Sequence, residues 1–312
     1  MVCHLKKTLH KIVRWFDNQS RLETIQSGNF KKIDWLRCLP FLFLHISCFG
    51  VVWVGWSWTA VWFAVILYLV RMFAITGFYH RYFSHRSFKT SRKIQFLFAV
   101  LGNMAAQRGP LWWAAHHRHH HKNSDKEGDV HSPQQDGFWW AHMFWFTNEN
   151  NFHLRSKLIP DLMRYPELRF IDRFDILIPI LLALSLFALG SILESISPEF
   201  GTNGPQMLIW GFFISTVILF HSTCSTNSLA HIFGYRSYPT HDNSKNNLLV
   251  SILTLGEGWH NNHHYFPNAV RQGVNWWEFD VTYLLLLIMF KLGMIWDLRI
   301  CPQYRNVKKE IH

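Results

Sequence analysis

Acidic residues are scarce in this chain of 312 residues, and charge of either sign is low. Asp and Glu number 20, Lys and Arg number 31, and charged residues make up 16% of the chain, against about 25% in a typical globular domain. Hydrophobic residues reach 49%. Intrinsic disorder requires little apolar surface and is therefore disfavoured, as is a fully soluble helical bundle.

Cysteines are few as well. The five thiols are odd in number and include no C-x-x-C pair, so the sequence indicates neither a disulfide framework nor a zinc knuckle. The N-terminus also lacks the uninterrupted apolar core of a cleaved signal peptide. Residues 1–37 instead resemble a basic amphipathic segment at a membrane surface.

Long apolar runs are what the chain does have. Residues 38–58 carry no charge, residues 59–78 carry only Arg71, and two more apolar runs cover 176–196 and 206–220. About 20 apolar residues in a helix cross the hydrocarbon of a bilayer. We therefore predict four transmembrane helices in two hairpins, at 38–78 and 176–221.

The basic residues orient these hairpins. Residues 1–37 contain eight Lys or Arg, whereas 176–221 contain none. The positive-inside rule then places both termini and the segments 79–175 and 222–312 in the cytoplasm. The net charge of +11 is accounted for by a face next to anionic lipid, and no nucleic-acid partner is expected. The fold class predicted is an all-α integral membrane protein with a helical cytoplasmic cap.

Histidine is the unusual residue, with 20 copies, as many as the acids together. Three groups lie in the cap: His80 with His85, the run 116–121, and the segment 260–264. A spacing of five places His80 and His85 about 140° apart on an α-helix, so they converge on one ion only across a helix end or an irregular turn.

The other two groups share a different spacing. His117, His120 and His121 stand at i, i+3 and i+4, on one face of a helix, and the same spacing recurs in the third group, formed by His260, His263 and His264. Neutral imidazole is a common ligand of transition metals. These eight donors exceed the needs of one ion, so we predict two metal ions. The spacing does not identify the element. In isolation, the run 119–121 is equally typical of an adventitious metal-binding tract.

The flanking residues resemble a known family. The segments FYHRYFSHRSFKTSR, HRHHHKNSD, DVHSP, GFWWAHM, NSLAH and GEGWHNNHHYFPNAVRQG are similar to those of the membrane-bound fatty acid desaturases of the stearoyl-CoA (acyl-CoA delta-9) type, in its bacterial form. The resemblance extends from about Trp35 to Asp297 and is highly specific.

This resemblance implies a function. It implies an O2-dependent enzyme that introduces a cis double bond, at the ninth carbon, into a saturated acyl chain. Two iron ions (Fe2+) would be held by the eight histidines above and His231, with Asn227 reaching one iron through water. The electrons would come from a separate protein of the ferredoxin, rubredoxin or cytochrome b5 type. The bacterial inner membrane is favoured over the endoplasmic reticulum.

The resemblance also implies a substrate tunnel. Gln107, Trp113 and Thr223 match residues that line the tunnel, and Tyr68 matches a position near its end. For Trp113 and Tyr68, ordinary packing is the alternative interpretation.

Three departures from the family pattern concern the substrate. Cys224 replaces an aromatic residue at the bend of the chain, Phe144 replaces a glycine, and Ala115 and His116 stand where an Arg and an Asp contact the CoA head group. Acyl-CoA, acyl carrier protein and phospholipid therefore all remain open as carriers.

Two other functions are weighed against desaturation. A membrane diiron fatty-acid or alkane hydroxylase uses related chemistry, and a His-rich metal transporter would require polar ligands within the spans. Six further histidines have no partner cluster and are expected to be surface or packing residues: His4, His10, His45, His221, His241 and His312.

Overall fold

The chain is described by a computed structural model for residues 12, 13, 15–18 and 33–301. Most of the predicted segment 1–37, with His4 and His10, and the chain end with His312 lie outside the described residues. The described part is mainly helical. Its only strands are two residues long and pair antiparallel, Lys89–Thr90 with Ile295–Trp296.

Four helices are long and apolar enough to cross a membrane, which confirms the predicted fold class. They are the first span Trp35–Val54, the second span Trp58–Ser84, the third span Leu177–Ile196 and the fourth span Gly204–Ile232. The second and fourth spans continue past the predicted ends at 78 and 221. His80 and His231 therefore lie on the spans themselves and not in the cap.

The first hairpin turns at Gly55, whose φ of 64° is in the left-handed region that glycine adopts without strain. Ser57 then starts the second span, and its hydroxyl accepts a hydrogen bond from the amide of Ala60 at 3.2 Å. This side-chain oxygen satisfies one of the free amides at the helix start. Only a few residues separate the two spans, as the sequence predicts.

Arg71 is the one charge in the middle of the second span, and it is fully buried. Its guanidinium donates to the hydroxyls of Ser215 at 2.6 Å and Thr216 at 2.7 Å on the fourth span. It also donates to the carbonyls of Leu67 and Met104. A charge inside a span is tolerated when it faces the bundle interior and is hydrogen-bonded, so Arg71 joins the second and fourth spans.

The second hairpin is tight because small residues allow its backbones to touch. A Cβ added to Gly190 would lie 2.4 Å from the carbonyl oxygen of Asn203, and one added to Gly204 would lie 2.4 Å from the hydroxyl of Ser191. Small residues at such crossings are typical of helix pairs in membranes.

The cap consists of shorter helices that pack on the inner ends of the spans. Their bounds are Arg92–Asn103, Pro110–Asn123, Pro133–Asp136, Pro160–Met163, Pro166–Arg173, Leu248–Leu253, His260–Tyr265 and Val281–Lys291. The helices Arg92–Asn103 and Pro110–Asn123 are separated by a turn in which Ala106 and Arg108 have positive φ.

One buried ion network holds the cap to the second span. The guanidinium of Arg81 donates to Glu257 at 3.0 Å and to Asp280 at 2.9 Å, and also to the carbonyl of Val270. All three charged side chains are buried. Because a buried charge is stable only when paired, this network fixes the inner end of the second span, where His80 lies.

Candidate metal centre

The first histidine pair lies where the second span changes its winding. Residues Ala74–Ser84 form a π-helix, and the amide of His85 donates to the carbonyl of His80 at 3.2 Å. This i→i+5 bond defines the π-helix, which occurs frequently at functional sites. It is the irregular turn that the spacing of these two histidines requires, and their ring centroids are 4.8 Å apart.

The second group lies on the helix Pro110–Asn123. Proline at the first helical position needs no amide partner, and the carboxylate of Asp172 accepts the amide of Trp112 at 2.7 Å. The third group lies on the short helix His260–Tyr265, and its amides Asn261 and Asn262 share the side-chain oxygen of Asn246. Each helix is thus fixed at its N-terminal end.

These elements bring the nine predicted histidines into two adjacent clusters. The five-histidine cluster consists of His80, His85, His117, His121 and His263, and the four-histidine cluster consists of His120, His231, His260 and His264. Within each cluster the ligand nitrogens all lie within 4.8 Å of one another. Both helical triplets are divided between the clusters. In each triplet the residues i and i+4 belong to one cluster and the residue i+3 belongs to the other. The i and i+4 pair is in the five-histidine cluster for the first triplet and in the four-histidine cluster for the second.

The inward nitrogens are arranged for ions and not for hydrogen bonds. In the five-histidine cluster the Nε2 atoms of His85 and His117 are 2.7 Å apart, and Nε2 of His263 lies 2.9 Å from that of His121 and 3.1 Å from that of His80. A neutral imidazole carries a single N–H, so such converging nitrogens cannot all be donors. A buried set of convergent lone pairs fits a transition-metal ion in each of the two clusters.

Burial keeps these imidazoles in the metal-binding form. Burial, reinforced by the neighbouring imidazoles, lowers the pKa of His85, His117, His121, His260 and His263 well below the usual 6.5. A histidine must be neutral to bind a metal. The lowered pKa values of these five histidines therefore favour metal binding at neutral pH, whereas at His120 the charge of Asp129 outweighs burial and raises the pKa.

Four carboxylates contact the outer nitrogens of the clusters. Asp129 lies 3.1 Å from Nδ1 of His120, Asp125 2.9 Å from His231, Asp242 2.6 Å from His264, and Glu257 contacts His80. Such partners fix the ring orientation of a ligand and raise its basicity. The four-histidine cluster has three of these carboxylates and the five-histidine cluster has one.

The carboxylates remain ionised in this setting. Burial alone would raise the pKa of Asp125 and Glu257, but the interaction with the facing histidine, joined at Glu257 by the charge of Arg81, outweighs it, and each pKa falls to about 2. The same balance lowers the pKa of Asp129 and Asp242. The anions thus offset part of the charge that two metal ions would bring into a buried site.

An apolar cavity of about 420 Å³ lies next to the clusters. His117 and Asn227 are among its lining residues, and its walls are formed mainly by side chains of the first, third and fourth spans and the helix Pro110–Asn123. A second cavity of about 40 Å³ shares Trp113, His117, Thr223 and Asn227 with the first and reaches His120 and His260. An elongated apolar molecule placed here would pass beside both clusters.

Comparisons with known proteins agree with this geometry. Residues 56–286 match the family model described as fatty acid desaturase. The chain belongs to the fatty acid desaturase family. It is an oxidoreductase that desaturates acyl chains.

Three relatives illustrate the range of this desaturase family. The chain is 35% identical to an sn-1 stearoyl-lipid 9-desaturase of Anabaena variabilis over 283 residues, which cover 90% of the chain and 99% of the relative. It is 38% identical to an sn-1 stearoyl-lipid 9-desaturase of a Synechocystis species, over 81% of the chain and 76% of the relative. It is 35% identical to an acyl-CoA 5-desaturase of Anemone leveillei, over 85% and 79%.

The predicted tunnel residues of this desaturase lie in different places. Gln107, Trp113 and Thr223 line the large cavity, and the amide of Gln107 donates to the hydroxyl of Thr223 at 3.0 Å. Tyr68 lines neither cavity. Its hydroxyl donates to the carbonyl of Leu253 and lies 3.1 Å from the hydroxyl of Ser222. Tyr68 precedes Met72, which lines the small cavity, by one helical turn.

Sequence reasoning missed one group of histidines in the desaturase. Nε2 of His45 lies 3.1 Å from Nε2 of His221, whose Nδ1 lies 3.0 Å from Nε2 of His142, and Nδ1 of His142 lies 2.9 Å from the hydroxyl of Ser228. The expectation that His45 and His221 have no partner cluster is therefore wrong. The contacts connect the first span to the fourth, 176 residues away, and no local pattern reports such a pairing.

Proposed function

We propose that this protein introduces a cis double bond at the ninth carbon of a saturated acyl chain, in an O2-dependent reaction at two iron ions. The observation that carries the proposal is the pair of buried histidine clusters next to an apolar cavity. The ninth carbon is supported by the relatives named as 9-desaturases.

We propose iron because of the family to which the chain belongs, and not because of the donor set alone. Nine imidazoles also suit copper, nickel or zinc by the Irving–Williams order. When bound, two irons supply the oxidising power with which one O2, two electrons and two protons take two hydrogens from adjacent methylenes and yield two waters. The residues proposed to hold them are the nine histidines, with Asn227 binding one metal through a water.

The side chains of the protein have three further tasks in this proposal. The four outer carboxylates hold the imidazole rings in their ligating orientation. The aromatic and aliphatic cavity wall excludes water, so that side reactions are suppressed. Trp113 stacks on His117 with ring centroids 5.0 Å apart and lines both cavities. It is placed to hold the acyl chain against the clusters, which fixes which methylenes react.

The proposed membrane orientation and electron carrier are inferred from the basic residues of the chain. Both termini and the cap segments 79–175 and 222–312 would face the cytoplasm by the positive-inside rule, in the inner membrane of a bacterium. The electrons would come from a separate ferredoxin, rubredoxin or cytochrome b5-type protein. An acidic carrier complements a chain with a net charge of +11, since complementary charge speeds encounter.

Expression in a desaturase-deficient host tests the proposal. Gas chromatography of the lipid fatty acids is expected to show a new monounsaturated chain with its double bond at the ninth carbon. His117→Ala and His263→Ala each remove a ligand of the five-histidine cluster and are expected to abolish the product. His241→Ala is the matched control, because His241 is exposed and belongs to neither cluster, and it should retain full activity.

Two results would contradict the proposal. Unchanged desaturation in both cluster variants would reject the metal assignment. Hydroxylated lipid as the only product would reject desaturation in favour of a hydroxylase.

A further inference from the structure

The short cap helix Leu248–Leu253 exposes apolar side chains on one side. Leu248, Leu249 and Ile252 are 59%, 62% and 65% exposed. Leu248 and Ile252 stand one helical turn apart, with Leu249 beside them. A contiguous exposed apolar surface marks a site of interaction with another molecule or with lipid.

Neighbouring segments extend this surface. The side-chain amide of Asn247 donates to the carbonyl of Phe233, just past the fourth span, at 3.2 Å. The amide of Thr282 donates to the carbonyl of Leu255 at 2.9 Å and so joins the helix Val281–Lys291 to the same region. We call the combined surface the inner apolar face, formed by residues that are each at least 50% exposed: Phe233, Leu248, Leu249, Ile252, Phe279, Leu284 and Ile288.

The outer ends of the second and fourth spans give a reference for depth. The side-chain amide of Gln206 donates to the carbonyl of Val54 at 2.8 Å, so the two hairpin turns lie level with each other. Trp56 and Trp58 are exposed at the first turn, and tryptophan is enriched at membrane–water interfaces. We therefore place the outer edge of the hydrocarbon at Trp58 and Gly204.

A hydrogen bond to the second span fixes the depth of the helix Leu248–Leu253. Tyr68 lies ten residues after Trp58, which is about 15 Å along the span, and Ser222 lies eighteen residues after Gly204, which is about 27 Å. The Tyr68 hydroxyl donates to the carbonyl of Leu253 and lies 3.1 Å from the Ser222 hydroxyl. Because the hydrocarbon is about 30 Å thick, the end of this cap helix lies within its thickness.

The second helix of the face begins at a similar depth. Thr76 lies eighteen residues after Trp58, or about 27 Å along the second span. Its hydroxyl oxygen is 2.7 Å from that of Thr282, in the first turn of the helix Val281–Lys291. This helix therefore starts at the inner edge of the hydrocarbon.

The charges around the inner apolar face suit a lipid surface. Residues 245–292 contain three acids, Glu257, Glu278 and Asp280, and all three are buried. Lys291 is exposed at the end of its helix, and Arg236 is exposed close to Phe233. Anionic head groups attract exposed basic residues, and no exposed carboxylate within 245–292 opposes them.

We propose that the inner apolar face is embedded in the bilayer leaflet on the side of the cap, where it anchors the cap without crossing the membrane. The occupant of this surface is lipid, because the face continues the lipid-facing surface of the spans at hydrocarbon depth. A helix that lies in the interface buries its apolar side about 5–10 Å into the leaflet. The proposal goes beyond the reaction and depends only on the four spans. His260 follows Leu253 by seven residues, so the anchor also positions the third histidine group against the membrane.

Photo-cross-linking tests the depth of the face without requiring turnover. The photoreactive residue p-benzoylphenylalanine replaces Leu249 or Phe279 in the full-length protein, which is placed in vesicles of phosphatidylcholine and phosphatidylglycerol. Illumination is expected to produce adducts with lipid acyl chains at both positions, as mapped by mass spectrometry. Trp62 is the positive control, because it is 59% exposed within the second span.

Asn243 is the matched negative control for this experiment. It is exposed, and its amide donates to the carboxylate of Asp125, which contacts His231. His231 lies 27 residues after Gly204, or about 40 Å along the fourth span, which is beyond the hydrocarbon. The photoreactive residue at position 243 is therefore expected to form no acyl-chain adduct.

A charge placed on the face gives a second, independent measurement. Leu249→Glu is expected to speed amide hydrogen exchange in residues 248–253 about tenfold in the same vesicles, because a carboxylate at hydrocarbon depth is costly. Asn243→Glu is the control and should leave this exchange unchanged. Circular dichroism of both variants checks that the helix content of the protein is retained.

Each result decides the proposal. Acyl-chain adducts at Leu249 and Phe279 but not at Asn243, with faster exchange in Leu249→Glu alone, support the anchor. A cross-link from Leu249 to a second copy of the chain would assign the face to a dimer and overturn the proposal. It is also overturned by an absence of lipid adducts at Leu249 when Trp62 is labelled, by equal labelling of Asn243, or by equal exchange in the two Glu variants, since an exposed helix position in water tolerates Glu with little change.

Discussion

His80 and His85 face one another with ring centroids 4.8 Å apart, although five residues separate them. The π-helical backbone between them makes this possible, and the amide of His85 bonds to the carbonyl of His80. On a regular α-helix the two rings would point about 140° apart. The spacing of this histidine pair is therefore matched to the local winding of the second span.

Moving the second histidine by one position should break this match. The double variant Ser84→His with His85→Ser restores a spacing of four, which suits an α-helix but not the π-helix held by the surrounding cap. We expect the five-histidine cluster to lose its metal, so that metal analysis by mass spectrometry falls from two ions per chain to one. Ser84→Ala alone, which keeps His85, should retain both. Two ions in the shifted variant would show that the π-helical spacing does not matter.

The four spans could be predicted from the sequence, and so could eight of the nine clustered histidines, since both depend on local patterns, whereas His231 was implied only by the family resemblance. Apolar runs and i, i+3, i+4 spacing are visible in a single stretch of chain. The division of His117, His120 and His121 between two centres was not visible, because all three lie on one helical face and only the facing elements decide where each ring turns.

Sequence reasoning also did not predict the outer carboxylates, although the positions of three of them in the sequence indicate such a role. Asp125 and Asp129 follow the second histidine group closely, and Glu257 precedes the third, in a chain with few acids. Their roles become clear only from the contacts with histidines, such as that between Asp125 and His231, 106 residues apart.

Neutralising one of the four outer carboxylates should weaken the binding of the metal ion in the cluster that it contacts. Asp242→Asn keeps an acceptor for Nδ1 of His264 but loses the charge, and such changes cost about 10- to 100-fold in metal affinity. Glu257→Gln should act in the same way on the five-histidine cluster through His80. Titration with a chelator, followed by metal analysis, is expected to remove one ion from each variant where the parent protein keeps both.

The control for this prediction is Glu167→Gln, whose carboxylate pairs with Arg92 and contacts neither cluster. It should hold both metals as the parent protein does. Equal metal retention in all three variants would show that the outer carboxylates do not tune the site.

The raised pKa of Asp172 predicts that the stability of the protein depends on pH. It is buried, and burial, with Asp175 adding a smaller contribution, raises its pKa from 3.8 to about 7. Between these two pKa values the folded state binds more protons than the unfolded state, so the stability contributed by this group falls as pH rises. Asp172→Asn retains the oxygen that accepts the amide of Trp112 and removes the titration.

The melting temperature of Asp172→Asn relative to the parent protein is therefore expected to be higher at about pH 8 than at about pH 5. Asp297→Asn is the control, because Asp297 is exposed and pairs with Lys89. A relative melting temperature of Asp172→Asn that is the same at both pH values, or higher at the lower one, would contradict the assignment.

The small cavity predicts how chain length is selected. Met72, Ile75 and Thr76 of the second span line it beyond the histidines, and Met72 is fully buried. If the methyl end of the acyl chain lies here, Met72→Ala lengthens the space available and should shift the product toward longer chains. Met72→Trp should shift it toward shorter ones. Gas chromatography after feeding a mixture of saturated chains measures both shifts.

Met207→Ala separates this effect from a general loss of packing. Met207 is also fully buried in a span, but it packs in the core between the second, third and fourth spans and lines neither cavity. Each Met→Ala change creates a core void worth about 2–5 kcal/mol, so both variants should be less stable to a similar extent. Only Met72→Ala should change the distribution of chain lengths. The same shift in both variants would mean that loosened packing, and not the small cavity, sets the length of the chain.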